Sequence, residues 1–337
     1  MWAHHLGFVN PELALLEHRA DLARAGGPEL RGLSFAYPPL PVLLALVLPG
    51  GTLALAVVTC LCSGITLEYV AERLLGRVSL VTTVALGATF VAVPAMWYAA
   101  SQLLAPVLAL TLLAIALDGF VRFAVYGQTE GGFIAGIALA LSFCFDPGAL
   151  MYGAVMCAFV PLVSHNRYHD DRAATIGITT VLLFPLVAIT ASWLFLVWKF
   201  TGTVPGSLNY QVGAHVFAFP GGVASRLTAA VTAAATDLAH VPVYLAAAVL
   251  LFRRQRAAAV GLLLPVAALA AALWLGFAYS AVTAYFMLTL LALIIIADSP
   301  PRRFQLVLVI AALGQVALAI AWPPAAPQFT TWLHTVL

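Results

Sequence analysis

The sequence predicts an all-α membrane protein, a polytopic bundle of about ten transmembrane helices with one more helix lying against the outer face of the membrane. Of the 337 residues, 63% are hydrophobic and only 8% are charged. A soluble domain is about 45–50% apolar and about 25% charged. So few charges cannot cover the surface of a soluble 35.5 kDa globule. The composition therefore excludes a soluble enzyme, a nucleic-acid-binding protein and a disordered chain.

The second observation is a series of apolar stretches, most of them close to the roughly 18–25 residues that cross a bilayer as a helix. They lie at 51–70, 78–96, 102–121, 131–145, 147–164, 174–198, 230–252, 257–275, 278–298 and 304–322. The stretch 131–145 is short, and Asp146-Pro147-Gly148 separates it from the next. This pair therefore also fits a hairpin that barely crosses the membrane.

The third observation is the distribution of arginine. If the ten stretches alternate in direction, one set of loops holds ten of the fifteen basic residues, in 71–77, 122–130, 165–173, 253–256 and 299–303. Cytoplasmic loops are enriched in Arg and Lys, so we assign this side to the cytoplasm. The outer side then holds residues 1–37, a loop at 199–226 and a tail at 323–337, around a transmembrane domain at 38–322.

The placement of residues 1–37 outside the membrane raises a question of topology. Residues 1–16 lack the apolar core and cleavage site of a signal peptide. We expect that a preceding helix is missing from this chain. The alternative is that the first span carries the nearly neutral segment across.

An amphipathic helix is predicted at residues 11–24. Pro11 suits the first helical position and Asn10 can cap it. Leu13, Leu16 and Ala20 form an apolar stripe at helical spacing. Such a helix would lie along the membrane surface with its carboxylates outward, and these are candidate catalytic groups or simply a hydrated face. The carboxylates are Glu12, Glu17 and Asp21.

Polar side chains also gather near the predicted outer loop. They could bind a lipid headgroup or a sugar, although a loop that merely joins two helices explains them equally well. Asp237 and His240 add an ionisable pair near the outer end of the next span, where such groups are a functional hypothesis by default. The loop candidates are Lys199, Asn209, Tyr210, His215 and Arg226.

The order of these segments resembles the membrane-embedded GT-C glycosyltransferases, especially the bacterial branch related to protein O-mannosyltransferases and aminoarabinose transferases. The resemblance covers about residues 8–215. The motifs that carry it are Pro11-Glu12, the helix running to Gly26-Gly27, Tyr37-Pro38-Pro39-Leu40, the small-residue helix from Gly132 to Ala140, and Trp198-Lys199-Phe200-Thr201-Gly202. It implies a GT-C-like fold in a bacterial plasma membrane.

The resemblance also implies an activity, the transfer of a sugar from a polyprenyl-phosphate donor to an acceptor on the outer face. Glu12 would be the base, with Asp21 or Glu17 as its substitute. Lys199 or Arg226 would face the lipid phosphate, and the remaining loop candidates and Tyr37 would contact substrate. Some relatives use a divalent metal, and the outer carboxylates could hold one, although no spacing requires it. The expected partners are this donor, membrane lipid and an unidentified acceptor.

Two departures from the family pattern leave other functions open. Asn10 and Pro11 precede Glu12 where the family has an Asp-Glu pair, and Tyr37 stands where the aminoarabinose branch often has Lys. One alternative is a transporter or flippase for a lipid-linked sugar. The other is a non-catalytic membrane subunit that anchors a partner.

Overall fold

The structure, a computed structural model, describes residues 6–25, 37–124, 126–168, 172–202, 222–235, 240–253, 256–274, 301–321 and 327–336. Within these ranges the chain is helical and contains no strand. The helices are α1 (Pro11–Ala25), α2 (Pro39–Val47), α3 (Gly51–Leu75), α4 (Leu80–Ala92), α5 (Pro94–Gln102), α6 (Leu104–Ala124), α7 (Thr129–Phe143), α8 (Ala149–Tyr168), α9 (Arg172–Thr201), α10 (Val223–Ala235), α11 (Val241–Phe252), α12 (Arg256–Trp274), α13 (Arg302–Ala321) and α14 (Pro327–Val336).

Membrane-spanning helices are confirmed, but the number predicted is not. In the described ranges, four segments are long and apolar enough to cross a membrane: Gly51–Leu75, Leu104–Phe123, Ala173–Phe200 and Arg302–Ala321. The helices α7 and α11 are apolar but shorter. The predicted stretch at 278–298 lies outside the described residues. A total of ten spans therefore stays a prediction.

Two predicted spans each contain residues of two described helices. The stretch 78–96 is divided into α4 and α5, which are bent by 76° and could together form a fifth, broken span. Pro94 begins α5, and a proline disfavours helical backbone at the residue before it, here Val93. The stretch 230–252 is likewise shared between α10 and α11.

Small residues set the closest helix contacts, between α6, α7 and α9. A Cβ atom added at Gly119 would lie 2.6 Å from the carbonyl oxygen of Gly131, and one at Gly136 would lie 2.8 Å from that of Val181. Without side chains at these positions, the backbones approach directly, as is common where helices associate in membranes. The core of the bundle is therefore built on α6 and α7.

The predicted helix at 11–24 is present as α1, but its apolar stripe does not face the membrane surface as expected. Leu13, Leu16 and Ala20 are buried in a cluster with Val42 of α2 and Leu55 of α3. The stripe packs on the protein's own helices rather than on the membrane surface, because α2 and α3 offer an apolar face directly beside it. Whether α1 lies on the outer side stays a prediction.

Two ends of the bundle differ in charge. At one end, which we call the acidic end, α1 meets the first turns of α3 and α6 and the turn between α7 and α8. At the other, the basic end, the last turn of α3 and the turn that follows it approach the last turns of α6. This division matches the predicted clustering of arginine on one side of the membrane.

The predicted tail at 323–337 contains α14, which packs on α5. The ring of Tyr98 lies 5.8 Å from that of Phe329 and 5.5 Å from that of Trp332. The hydroxyl of the same tyrosine accepts a hydrogen bond from the side chain of Asn10. The last helix therefore lies at the acidic end, together with α1.

Candidate functional site

Asn10 fixes the start of α1 and is almost completely buried. Its side-chain oxygen accepts a hydrogen bond from the backbone N–H of Glu12 at 2.8 Å, which confirms the predicted cap. Its side-chain nitrogen donates to the hydroxyl of Tyr98 at 3.2 Å and to the carbonyl of Gln102 at 2.9 Å. Asn10 therefore anchors α1 to α5 and holds Glu12 at the helix start.

A tight turn between α7 and α8 carries the second carboxyl of the site. The backbone N–H of Gly148 donates to the side chain of Asp146 at 2.7 Å, which holds that carboxyl against its own turn. The backbone N–H of Leu40 donates to the carbonyl of Cys144 at 3.4 Å. The first turn of α2 is thus attached to the same turn.

Glu12 and Asp146 form a half-buried carboxyl pair. Burial and, to a smaller extent, the negative charge of Asp146 together raise the pKa of Glu12 from 4.5 to about 8. Burial also raises the pKa of Asp146 from 3.8 to about 6, while the hydrogen bond from Gly148 opposes this shift. Coupled carboxyls titrate as a unit, so the pair carries one negative charge between about pH 6 and about pH 8.

An aromatic cluster lies beside this pair and includes the predicted residue Tyr37. The ring centre of Tyr37 is 5.9 Å from that of Trp193 on α9 and 5.5 Å from that of Phe143 on α7. The Tyr37 hydroxyl donates to the carbonyl of Phe143, and the guanidinium of Arg19 donates to the carbonyl of Tyr37. Tyr37 is therefore a buried connection between α1, α7 and α9.

A small cavity of about 10 Å³ adjoins the carboxyl of Glu12. Leu16 of α1 and the first residues of α6, Leu104 and Ala105, form its walls. Ala105 also packs in the cluster that contains Tyr37, so the carboxyl pair and the aromatic cluster have a wall in common. The cavity has room for about one water molecule.

Glu17 and Asp21 lie in other environments along α1. Glu17 is beside Gly51 at the start of α3, where a carboxylate interacts favourably with the helix dipole. It lines a polar cavity of about 330 Å³ together with Arg24. Asp21 is exposed and pairs with Arg24 at 2.6 Å. Of the three predicted carboxylates, Glu12 is therefore the one paired with a second carboxyl.

The predicted loop residues are only partly described. Lys199 is exposed in the last turn of α9, so it is helical and not part of a loop. Arg226 is also helical, in the first turns of α10, because the regular apolar pattern of each helix extends past the predicted loop limits. His240 is fully buried beside Tyr244, immediately before α11. Asn209, Tyr210, His215 and Asp237 lie outside the described residues.

The roles that the resemblance implies for Lys199, Arg226 and His240 stay predictions. The helices that carry Arg226 and His240, α10 and α11, pack on α12. Among the described residues no group of three or more His, Cys, Asp or Glu side chains is arranged to hold a metal ion. The metal stays a possibility that neither the sequence nor the described geometry requires.

Asp146 is the site residue that sequence reasoning missed, because Asp-Pro-Gly was interpreted only as a helix break. A signal was nevertheless present. The alternation of spans places the junction of 131–145 and 147–164 on the same side as residues 1–37. A carboxylate at that junction could thus have been considered as a partner for Glu12.

No protein-family model, curated protein or solved structure matches this chain.

Proposed function

We propose that the protein is an integral-membrane glycosyltransferase that moves a sugar from a polyprenyl-phosphate donor to an acceptor on the outer face, with Glu12 and Asp146 as its proton-accepting pair. The observation that carries the proposal is the coupled pair itself, with pKa values of about 8 and about 6. A general base is most effective when its pKa lies near the working pH. The location of Glu12 at the start of α1 agrees with the position of the acidic motif in the GT-C resemblance.

The reaction needs one proton acceptor. The acceptor hydroxyl attacks the sugar carbon that is bonded to the lipid phosphate, that carbon–oxygen bond breaks, and the phosphate leaves with the bonding electrons. The hydroxyl proton passes to the carboxyl pair. At neutral pH Asp146 is the member with the lower pKa and carries the charge, while Glu12 is protonated. We therefore extend the base role from Glu12 alone to both residues.

A turnover assay tests this function. The purified protein in nanodiscs receives radiolabelled polyprenyl-phosphate sugars and membrane acceptors, and transfer by Glu12→Gln and Asp146→Asn is compared with the wild type. Each substitution should lower transfer by about 10²–10⁴-fold, the usual contribution of a general base. Glu17→Gln, on the same helix but beside Gly51, is the matched control and should retain transfer. Full activity in both pair variants, or no transfer by the wild type, would contradict the proposal.

The break between α4 and α5 favours a second candidate, a flippase for a lipid-linked sugar. Transporters often place discontinuous helices at their binding sites, and this pair is bent by 76° at Pro94. The same donors, carrying a fluorescent label in vesicles, distinguish the two functions. Movement of labelled lipid between leaflets without sugar transfer would select the flippase.

A further inference from the structure

The basic end contains a buried carboxylate surrounded by arginines. Asp118 of α6 is fully buried, and its oxygens lie 2.6 Å from Arg77, 3.3 Å from Arg122 and 3.5 Å from Arg73. The hydroxyl of Tyr69 donates to the same carboxylate at 3.3 Å. We call these five residues the arginine cluster. Three positive charges face one negative charge, so the cluster has a positive surplus.

The donors in the cluster exceed the acceptors as well. A guanidinium has five N–H donors, whereas one carboxylate offers about four lone-pair sites. The Nε atoms of Arg73 and Arg122 are buried and face one carboxylate oxygen of Asp118 at 3.5 Å and 3.3 Å, without the geometry of a hydrogen bond. The remaining N–H groups of these two arginines outnumber the acceptor sites that Asp118 still offers beside Arg77 and Tyr69. The side chains of Arg73 and Arg122 are 42% and 23% exposed, which makes them reachable from outside the bundle.

Two exposed acidic residues lower the positive surplus of the cluster. Glu72 lies beside Arg73, and Glu130 lies in the first turn of α7, where the adjacent Gly131 packs against Arg122. The side chain of Gln305 on α13 accepts hydrogen bonds from the backbone of Ser79 at 3.1 Å and from the hydroxyl of Thr82 at 2.9 Å. This contact brings the first turn of α13, with two exposed arginines, near the cluster. These are Arg302 and Arg303.

An apolar groove begins about two helical turns from the cluster. The groove has a volume of about 190 Å³ and lies between α3, α5 and α6, with Leu67 and Trp97 among its walls. The Trp97 side chain is 55% exposed, so the groove opens to the outside of the bundle. Thr66 at the groove and Arg73 in the cluster lie seven residues apart on one face of α3, which corresponds to about 10 Å along the helix. The arginines and the groove are therefore spaced so that one lipid could contact the arginines with its headgroup and fill the groove with a chain.

We propose that the arginine cluster and the adjoining groove bind a phosphate-bearing membrane lipid, with the phosphate on Arg73 and Arg122 and one chain along Trp97. Guanidinium groups bind phosphate oxygens through paired hydrogen bonds. Arg77 and Tyr69 hold Asp118, and Asp118 keeps the outer two arginines in position. This site lies at the opposite end from the carboxyl pair. It is therefore independent of the proposed sugar transfer.

Fluorescence quenching tests the proposal on the full chain in uncharged detergent. Phosphatidylglycerol with brominated chains is titrated against brominated diacylglycerol, which has the same chains and no phosphate. Bromine in the groove should quench Trp97, and Trp97→Phe identifies the part of the signal that comes from this side chain. We expect the phosphate lipid to bind about tenfold or more tightly than diacylglycerol, as two arginines at a membrane surface would give.

Variants of the cluster test whether the arginines cause the preference for the phosphate-bearing lipid. Arg73→Gln with Arg122→Gln should remove the preference for phosphatidylglycerol, and Arg73→Gln alone should reduce it if the double variant does not fold. Arg253→Gln, an exposed arginine after α11, is the matched control and should retain it. An unchanged preference in the cluster variants would overturn the proposal. Full displacement of the lipid by millimolar inorganic phosphate would also overturn it, because the arginines would then bind a free anion.

Discussion

The acidic and basic ends of the bundle both keep carboxyl groups among apolar helices, but they stabilise them differently. Asp118 at the basic end is ion-paired with three arginines. Among the described residues, Glu12 and Asp146 at the acidic end form no ion pair, and burial raises the pKa of both. A buried carboxyl either keeps its charge beside a cation or gives it up by taking a proton. A carboxylate held by cations, such as Asp118, can stabilise the fold or position groups that bind an anion. A carboxyl whose pKa lies near neutral pH, as in the Glu12–Asp146 pair, can take up and release a proton.

The largest effect on stability should come from Asp118→Asn. This change leaves three arginines facing each other without their buried counter-charge. Removal of one partner of a buried ion pair typically costs about 3–5 kcal/mol. Thermal unfolding in detergent, followed by tryptophan fluorescence, should show a much lower midpoint for this variant. A midpoint equal to that of the wild type would mean that the cluster does not need its carboxylate.

The next effect concerns pH at the acidic end. The folded pKa of Glu12 is raised above its unfolded value, so the folded state holds a proton that the unfolded state releases. Stability should therefore fall as pH rises from about 4.5 to about 8. Glu12→Gln removes this cost and should stabilise the protein by about 2 kcal/mol at pH 8, a figure reduced for partial solvent exposure. Unfolding midpoints of both proteins at pH 5 and pH 8 check this, and parallel pH dependence would refute it.

Catalysis should depend on pH at the same residues. Below about pH 6 both carboxyls of the pair are protonated, so no base is available. If the protein is the proposed transferase, transfer should fall about tenfold for each pH unit below this value. Asp146→Asn leaves only Glu12, whose pKa is still raised by burial, so the residual activity of that variant should require a higher pH than that of the wild type. A pH–rate profile of the wild type that is flat from pH 5 to pH 8 would exclude the pair as the base.

A smaller effect is expected for Asn10→Ala. The change removes the cap of α1 and the hydrogen bonds to Tyr98 and Gln102. Loss of such a cap typically costs about 1 kcal/mol. Activity should decrease as well, because Glu12 would no longer be held at the helix start. Asn10→Ser, which retains a capping oxygen, should recover much of the stability in the same unfolding assay.

The smallest effect is expected for Asp21→Asn. Asp21 also pairs with an arginine, Arg24 at 2.6 Å, but both side chains are largely exposed. Exposed pairs contribute about 0–1 kcal/mol. The unfolding midpoint should therefore stay close to that of the wild type. If Asp21→Asn lowered the unfolding midpoint as much as Asp118→Asn, burial would not explain why the two ion pairs differ in their contribution to stability.

Local features of the acidic end could be predicted well from the sequence. The cap by Asn10, the position of Pro11 and the helical spacing of the apolar stripe follow from local sequence, and the structure confirms them. That the stripe packs on α2 and α3 and not on the membrane surface did not follow from the sequence. The partner of Glu12 could not be predicted in this way. Asp146 is more than a hundred residues away, and only the packing of α7 and α8 against α1 brings its charge near.

At the basic end, too, the sequence predicted the positions along the chain but not the contacts between helices. The distribution of arginine predicted that basic residues gather on one side, and spans such as α3 and α6 follow from the length of their apolar stretches. That Asp118 faces three of these arginines was decided by how α3 and α6 pack.

The sequence by itself determined that the chain is helical and membrane-spanning, because composition and apolar length act residue by residue. It also determined where α1 begins, since a cap needs only neighbouring residues. The tertiary structure alone decided which carboxyls meet each other and which meet arginine. Those pairings depend on distances between helices, and burial at those positions sets whether a proton or a cation neutralises each charge.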